Sequence, residues 1–220
     1  MNGLQDLPTI IFAILTLFVL YKLRSILGTS DDGFIDRSLN KHMVLNSQVD
    51  QRDFKWNDKW SSVLENPSIL KPKILDLMLS YPSFDPLDFI NGAKSAYELT
   101  LLSFAKGDKI TLKQYVSQSV FDNFLISIDD RMNKKQTLEL KIIGEEKIEI
   151  VDIKKTDNQI EISVYFHMSI NQIIKNDKNE TLNKPNEQIV ETNDIWVFSK
   201  NINDNNPNWL LIATQIKASL

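Results

Sequence analysis

The stretch QIEISVYFHMSI, residues 159–170, alternates strictly between apolar and other side chains. One set of alternating positions holds only apolar residues: Ile160, Ile162, Val164, Phe166, Met168 and Ile170. Successive side chains of a β-strand point to opposite faces of the sheet, so this pattern predicts a strand with one buried face. Strands of this kind are typical of antiparallel sheets, in which one face covers the core and the other meets water.

The segments around this strand carry the same period. Upstream, alternation begins at Leu138 and continues to Ile153, with a slip or bulge expected near Asp152. Downstream, residues 189–200 and 209–217 have strand character, and the turn-rich run NDNNPN separates them. We therefore expect a meander of four or five antiparallel strands.

Helical signals come before the strands. Asp85 is a favourable N-cap residue, Pro86 follows at the first helical position, and Gly107 can end the helix in a left-handed conformation. A second helix is predicted from Asp108 to Ile128, because apolar residues recur every four positions at Leu112, Val116, Val120, Phe124 and Ile128. Helices followed by strands predict an α+β domain, with N-terminal helices packed on a curved, mainly antiparallel sheet.

The N-terminus predicts one transmembrane anchor. Residues 7–21 are uncharged and nearly all apolar, and a helix continued to residue 27 would span about 30 Å, the thickness of the hydrocarbon core. Lys22 and Arg24 would extend their charges to the headgroups. A cleaved signal peptide fits less well, since residues 1–6 have no Lys or Arg; a buried core helix is the other alternative. The basic flank follows the span, which places the rest of the chain on the cytoplasmic side.

Three further regions follow this anchor. Residues 28–53 are polar and are predicted to be a linker, with a loose helix around residues 39–49. Residues 54–82 are an amphipathic helical segment, and residues 83–220 are the folded domain. The amphipathic segment either packs on the domain or lies on the bilayer surface. The side chains that would touch the membrane surface in the second interpretation are Trp56, Trp60, Lys71 and Lys73.

Composition argues against several classes of function. The net charge is −4, so no overall basic surface is available for a nucleic acid. The chain has no cysteine, and no phosphate-binding or nucleophile motif. Of its two histidines, His42 lies in the linker and His167 has no partner at metal-ligand spacing. We expect no nucleic-acid partner, no metal, no cofactor and no catalytic residues.

Two groups of motifs resemble the Tim44-like domain family. The first is the run from Asp85-Pro86 through Phe89-Ile90 and Gly92-Ala93-Lys94 to Phe104-Ala105-x-Gly107-Asp108. The second comprises Trp196-Val197-Phe198 and, after a short interval, Pro207-Asn208-Trp209. The match covers residues 85–214, and the short span before it is similar to the bacterial members.

The resemblance implies a cone-shaped fold similar to nuclear transport factor two, with an apolar pocket. The candidate pocket residues are Phe166, Met168, Trp196, Phe198 and Trp209; judged by residue type alone, they are core. It also implies a non-enzymatic scaffold in the bacterial inner membrane that acts in protein transport, insertion or membrane-protein biogenesis. Its expected partners are the lipid bilayer, the translocation machinery, and a hydrophobic polypeptide or acyl chain.

Two alternatives stay open. The first is a lipid-binding module that uses the Trp-rich segment and the apolar pocket. The second is an isomerase or dehydratase in the same cone fold, which needs an ionisable side chain with a shifted pKa inside the pocket. Asp152 and Tyr165 are the only candidates that the sequence offers for that role.

Overall fold

The computed structural model describes residues 56–156, 158–204 and 208–217. A 3₁₀ helix, Asp58–Val63, precedes four α-helices: α1 Pro67–Ser80, α2 Pro86–Lys106, α3 Lys109–Tyr115 and α4 Gln118–Asn133. Four strands follow: β1 Thr137–Lys155, β2 Gln159–Lys175, β3 Ile189–Asn201 and β4 Leu210–Ile216, with a 3₁₀ turn at Pro185–Glu187. The predicted anchor and most of the predicted linker lie outside these described residues. Within them, every helix is too short or too polar to cross a bilayer.

The four strands form one sheet in the order β1-β2-β3-β4, and every neighbouring pair is antiparallel. The α+β class and the antiparallel meander are therefore confirmed. β1 contains three register shifts against β2, including the slip predicted beside Asp152. Bulges of this kind bend a strand and increase its twist, which curves the sheet.

The inner face of the sheet is the face that the helices cover. All six apolar positions of the alternating run in β2 are buried, at 0–4% exposure. Tyr97 of α2 lies against this face, with its ring stacked on Phe166 at a centroid distance of 4.5 Å. The period-two pattern thus identified the core face of the central strand.

Both ends of α2 are fixed by local contacts. Asp85 is the N-cap, and its carboxylate accepts hydrogen bonds from the backbone N–H groups of Leu87 and Asp88. At the other end Gly107 is left-handed, with φ of 69°. Arg131 of α4 is buried there, and its guanidinium donates to the carbonyl oxygens of Phe104 and Ala105. These contacts satisfy groups that a helix leaves unpaired at its ends.

The single helix predicted for residues 108–128 is wrong, because the chain breaks into α3 and α4. Val116 is extended, with φ of −124° and ψ of 152°. The next residue, Ser117, donates its backbone N–H to the carbonyl of Leu211 in β4 at 2.8 Å and caps α4. Leu112, Val116 and Val120 are nevertheless all buried. The need for an apolar residue at each of these positions explains why the i+4 spacing continues through the break.

The segment before α2 contributes to the same core. The Trp60 side chain is 6% exposed, and its indole N–H donates to the Asp85 carboxylate at 3.1 Å. Leu64 forms a parallel bridge with Ile150 of β1, and the N–H of Glu65 donates to the carbonyl of Ile150. Leu70 and Ile74 of α1 are fully buried with them.

Replacing Trp60 tests this packing. We expect Trp60→Ala to lower the free energy of unfolding by about 3–5 kcal/mol, because it leaves a cavity and removes a hydrogen bond. Trp60→Phe keeps most of the ring and should cost about 1 kcal/mol. Urea unfolding of the full-length chain in detergent, followed by far-ultraviolet circular dichroism, measures both. An unchanged midpoint in Trp60→Ala would contradict the packing of this segment on the domain.

Candidate functional site

A groove of about 440 Å³ opens beside the first half of α2. Phe84 and Phe89 of the α2 entry, Phe198 of β3 and Trp209 before β4 supply its aromatic wall. We call this feature the aromatic groove. Concave sites with mostly apolar linings and few polar groups are typical of ligand and peptide binding.

The aromatic wall is assembled by the N-terminus of α2. Phe84 precedes the N-cap and Phe89 is the fourth residue of the helix, which is the hydrophobic staple arrangement. Their ring centroids are 5.8 Å apart. Trp209 packs edge-on against Phe89 at 4.9 Å and also lies 6.3 Å from Phe84. The same contacts that start the helix therefore build the aromatic wall of the groove.

Three residues with small or no side chains line the α2 side of the groove. Gly92, Ala93 and Ala96 of α2 line it. A Cβ atom built on Gly92 meets nothing within 4 Å, so this glycine faces open space. Because Gly92 also lines the groove, we expect a larger side chain at this position to occupy part of it without a clash at the Cβ atom.

The rim of the groove is acidic. Asp85 and Asp88 line it, and none of the described residues that line it is Lys or Arg. Asp85 is already engaged by the α2 backbone and by Trp60. Asp88 is exposed. The groove thus combines an apolar interior with a negative edge.

A second groove of about 420 Å³ lies between α2 and β1. Leu101 and Leu102 of α2 face Ile142 of β1 there. The ion pair between Lys94 and Glu145 crosses its edge, and the hydrogen bond that the Lys94 ammonium donates to Glu145 raises the pKa of Lys94. This ion pair joins the helix to an edge strand.

The five pocket candidates divide into two groups. Phe198 and Trp209 line the aromatic groove. Phe166, Met168 and Trp196 are instead buried in the core, at 0–3% exposure, and line neither groove. Tyr97 occupies the space in front of them, with its ring 4.5 Å from both Phe166 and Trp196. The inner part of the expected pocket is therefore filled by a side chain of α2.

The four membrane-surface candidates are engaged with the domain and with one another. Trp60 is buried, so in this structure its ring is not available to a membrane surface. Trp56 packs edge-on against it at 5.2 Å, and the Lys71 ammonium lies 4.8 Å from the Trp56 ring. Lys73 forms an ion pair of 2.5 Å with Asp152. The anchor flanks Lys22 and Arg24 lie outside the described residues.

The residues weighed for catalysis lie apart from the aromatic groove. Asp152 is paired with Lys73, and the hydroxyl of Tyr165 donates to the Asn193 side chain at 2.6 Å. His167 lies on the outer face of the sheet, 3.5 Å from Glu191. The described residues contain no cluster of three or more metal-binding side chains.

A buried polar cluster was missed by the sequence analysis. Asp194 of β3 is buried, and the Tyr97 hydroxyl donates to its carboxylate at 3.4 Å while lying 3.1 Å from the Thr192 hydroxyl. Burial raises the pKa of Asp194 to about 7 and also raises the pKa of Tyr97. The alternation of β3 could have revealed it. Asp194 lies two residues before Trp196 and four before Phe198, so all three side chains lie on the same face of the sheet. Neither groove is lined by Asp194.

The family model for the Tim44-like domain matches residues 75–216, well over half of the chain. This chain belongs to the Tim44-like domain family. The match includes both halves of the aromatic groove, the α2 entry and the Phe198–Trp209 side. The resemblance read from the motifs at residues 85–108 and 196–209 is confirmed.

Two solved structures that are similar to this Tim44-like chain share little sequence with it. The intermembrane space region of the chloroplast protein ARC6 is 8% identical with a TM-score of 0.45, covering 63% of this chain and 100% of that chain. A candidate dehydratase of the NTF2-like family from Streptomyces avermitilis is 9% identical with a TM-score of 0.33, covering 59% and 97%. At these scores neither protein's role transfers to this chain. No curated protein matches it significantly in sequence.

The raised pKa of Asp194 predicts a pH-dependent stability. An unfolded Asp titrates near 3.9, so the folded state binds an extra proton between about pH 4 and pH 7. Stability from this group is fully present below pH 4 and is lost as the pH rises to 7, with a slope of at most about 1.4 kcal/mol per pH unit.

Asp194→Asn should remove this slope and be more stable than the parent at pH 8. Urea unfolding of both full-length proteins between pH 5 and pH 8 checks the difference, with Asp204→Asn as an exposed control. Equal pH dependence in the parent and Asp194→Asn would show that Asp194 does not carry the effect.

Proposed function

We propose that this Tim44-like chain is a non-enzymatic adaptor, anchored in the bacterial inner membrane, that binds a hydrophobic segment of a partner polypeptide in its aromatic groove. The single observation that carries the proposal is the aromatic groove itself, open and acidic at its rim, within a domain of this family. The partner class is the machinery of protein transport, insertion or membrane-protein biogenesis.

The membrane location comes from residues 7–27. An apolar span followed by Lys22 and Arg24 orients a single-pass anchor with the Tim44-like domain on the cytoplasmic side. Tethering raises the effective concentration of the domain at translocation sites in the same membrane. Even a low affinity of the groove is then sufficient to capture a nascent or unfolded segment near the bilayer.

The chemistry of the groove favours a polypeptide over an acyl lipid. Trp209 offers a rigid, half-buried aromatic surface backed by the buried ring of Phe89, and Asp88 offers an exposed negative charge at the rim. An apolar segment flanked by Lys or Arg satisfies both features, whereas an anionic lipid headgroup would be repelled by Asp88. Lys73, a cation that the lipid-binding alternative would use, is already paired with Asp152.

The groove is a poor catalytic centre. Its carboxylates are Asp85, which caps α2, and Asp88, which is exposed to solvent. Asp194, the carboxyl group whose pKa is raised to about 7, is absent from the groove lining and lies in the packed core. A general acid or base needs to reach the substrate, so this arrangement favours binding over reaction.

A photocrosslinking amino acid at Leu99, which lines the groove and is exposed, tests the partner class in intact cells. We expect adducts with nascent chains or with components of secretion and insertion machinery. The matched control is the same amino acid at Ile110, which is exposed but does not line the groove. Identical adducts from both positions would show that the groove is not the site at which the partner binds.

Filling the groove provides a direct binding test. Gly92→Trp should weaken the binding of an apolar peptide flanked by lysines by about tenfold or more, because the indole would occupy the space that Gly92 leaves open. Gly92→Ala is the control, since it adds one methyl group and favours the helix. Fluorescence anisotropy of a labelled peptide measures both affinities in the full-length protein. Equal affinities in the two variants would place peptide binding elsewhere.

A further inference from the structure

We infer that two copies of this chain associate through the free edge of strand β1, where residues 138–142, LELKI, pair antiparallel with the same residues of the second copy. This stretch is complementary in charge to itself in one register. The surface is distinct from the aromatic groove, because no described residue lines both that groove and the second groove beside β1. The inference therefore does not depend on the proposed function.

Strand β1 forms one edge of the sheet and pairs with β2 alone among the described strands. One backbone contact from the rest of the described chain reaches its other side: the carbonyl of Ile150 accepts from the N–H of Glu65. Residues 137–142 pair with β2 without a register shift, and the first shift comes after Ile142. A regular, unpaired edge presents backbone N–H and C=O groups on which another strand can form hydrogen bonds.

Three residues of β1 direct their backbone groups to this free edge: Leu138, Leu140 and Ile142. Leu140 lies opposite Gln172 of β2, and the N–H of Gln172 donates to the carbonyl of Gln188 on the side of β3. In an antiparallel ladder, two opposite residues either bond each other or both direct their groups away from the pair. The groups of Leu140 therefore point away from β2, and the alternate residues on either side share that direction.

The two residues between these positions carry opposite charges. Glu139 and Lys141 are both exposed. When two copies pair antiparallel with the centre at Leu140, Glu139 of each copy lies opposite Lys141 of the other. A centre at Glu139 or at Lys141 would place like charges opposite each other, which is unfavourable, and a centre at Leu138 or Ile142 would form neither ion pair. The charges therefore favour one register.

Both charged groups are able to bond a second copy. The Lys141 ammonium forms no ion pair with any residue that the structure describes. Glu139 pairs with Lys175 of β2 at 2.6 Å, but its side chain remains 57% exposed. A carboxylate has two oxygens and about four acceptor positions, so Glu139 can accept from Lys141 of the second copy without releasing Lys175.

The other face of the same stretch is apolar and partly exposed. Leu140 and Ile142 line the second groove together with Leu101 and Leu102 of α2, and Leu102 is 41% exposed. Antiparallel pairing of identical edges has a two-fold axis perpendicular to the joined sheet. Both α2 helices then lie on the same face of that sheet, and their leucines flank the junction. Burial of this apolar surface adds to the backbone hydrogen bonds and the ion pairs.

The expected dimer is weak and leaves both aromatic grooves open. Five paired residues form a small contact beside the about 20–30 residues on each side of a standard interface, so we expect a Kd on the order of 10 µM. Phe198 of β3 and Trp209 before β4 lie on the half of the sheet away from β1. The dimer would thus carry two grooves and could bind two sites on one partner.

Charge reversal at the exposed positions tests the pairing without changing the core. Glu139→Lys and Lys141→Glu each place like charges opposite each other in a homodimer, so we expect each to raise the Kd about tenfold or more. The double variant exchanges the two charges and should dimerise like the parent. An equimolar mixture of the two single variants should also dimerise, because their charges are opposite. Sedimentation velocity of the full-length proteins in detergent measures all four.

The matched control for these variants is Lys178→Glu, on the exposed connection between β2 and β3. It changes the net charge as Lys141→Glu does and should leave the Kd unchanged. The double variant also controls for the lost ion pair between Glu139 and Lys175, because that pair is absent there as well.

Cysteine crosslinking tests the register, because the chain has no cysteine of its own. Opposite residues that do not bond each other have Cα atoms about 4.5 Å apart, which is within the range of a disulfide. Glu139→Cys with one affinity tag and Lys141→Cys with another should therefore form a mixed disulfide under mild oxidation. Glu139→Cys with itself should react more slowly, since its Cα atoms would be about 8 Å apart in this register.

The inference would be overturned by a full-length protein that stays monomeric up to about 100 µM, ten times the expected Kd. A dimer unaffected by both single reversals, a double variant that dimerises no better than the single ones, or equal rates for the mixed and the symmetric disulfide would also overturn it. None of these variants changes a residue that lines the aromatic groove, so the labelled-peptide measurement tests the proposed function separately.

Discussion

Tyr97 fixes the position of helix α2 on the sheet, and the position of α2 determines where the groove lies in the domain. Its ring stacks on Phe166 and lies against Trp196, and its hydroxyl reaches Thr192 and Asp194 across β3. Stacked aromatic rings and buried hydrogen bonds are directional, so the helix has one favourable depth and rotation on the inner face. The hydrogen bonds of the Tyr97 hydroxyl have a cost in free energy, because they place Asp194 in the core, where its charged form is disfavoured.

The aromatic groove is a consequence of this position of α2. With the middle of α2 held by Tyr97 and its C-terminal end by Arg131, the N-terminal turn extends over the end of the sheet where Phe198 and Trp209 lie. The staple between Phe84 and Phe89 then meets Trp209, and Gly92 leaves the floor open. A Tim44-like domain built in this way offers an apolar groove at its surface and a filled core behind it.

The sequence was informative where a local pattern decided the structure. Period-two alternation identified the buried face of β2, and Asp85, Pro86 and Gly107 marked both ends of α2, because capping and strand parity depend on neighbouring residues. It failed where distant residues decided: the break at Val116 requires Leu211 of β4, and the division of the pocket residues requires Tyr97. Asp194 was overlooked because a buried carboxyl group is rare, although its parity placed it inside.

Fluorine NMR of the full-length protein labelled with 5-fluorotryptophan tests the central claim that the groove is the binding site. The chain has four tryptophans, and they occupy distinct places: Trp196 is in the filled core, Trp56 and Trp60 are at the start of the domain, and Trp209 lines the groove. On addition of an apolar peptide flanked by lysines, this account predicts a saturable shift of the Trp209 resonance and an unchanged Trp196 resonance. A saturable shift of Trp196 with Trp209 unaffected would contradict it.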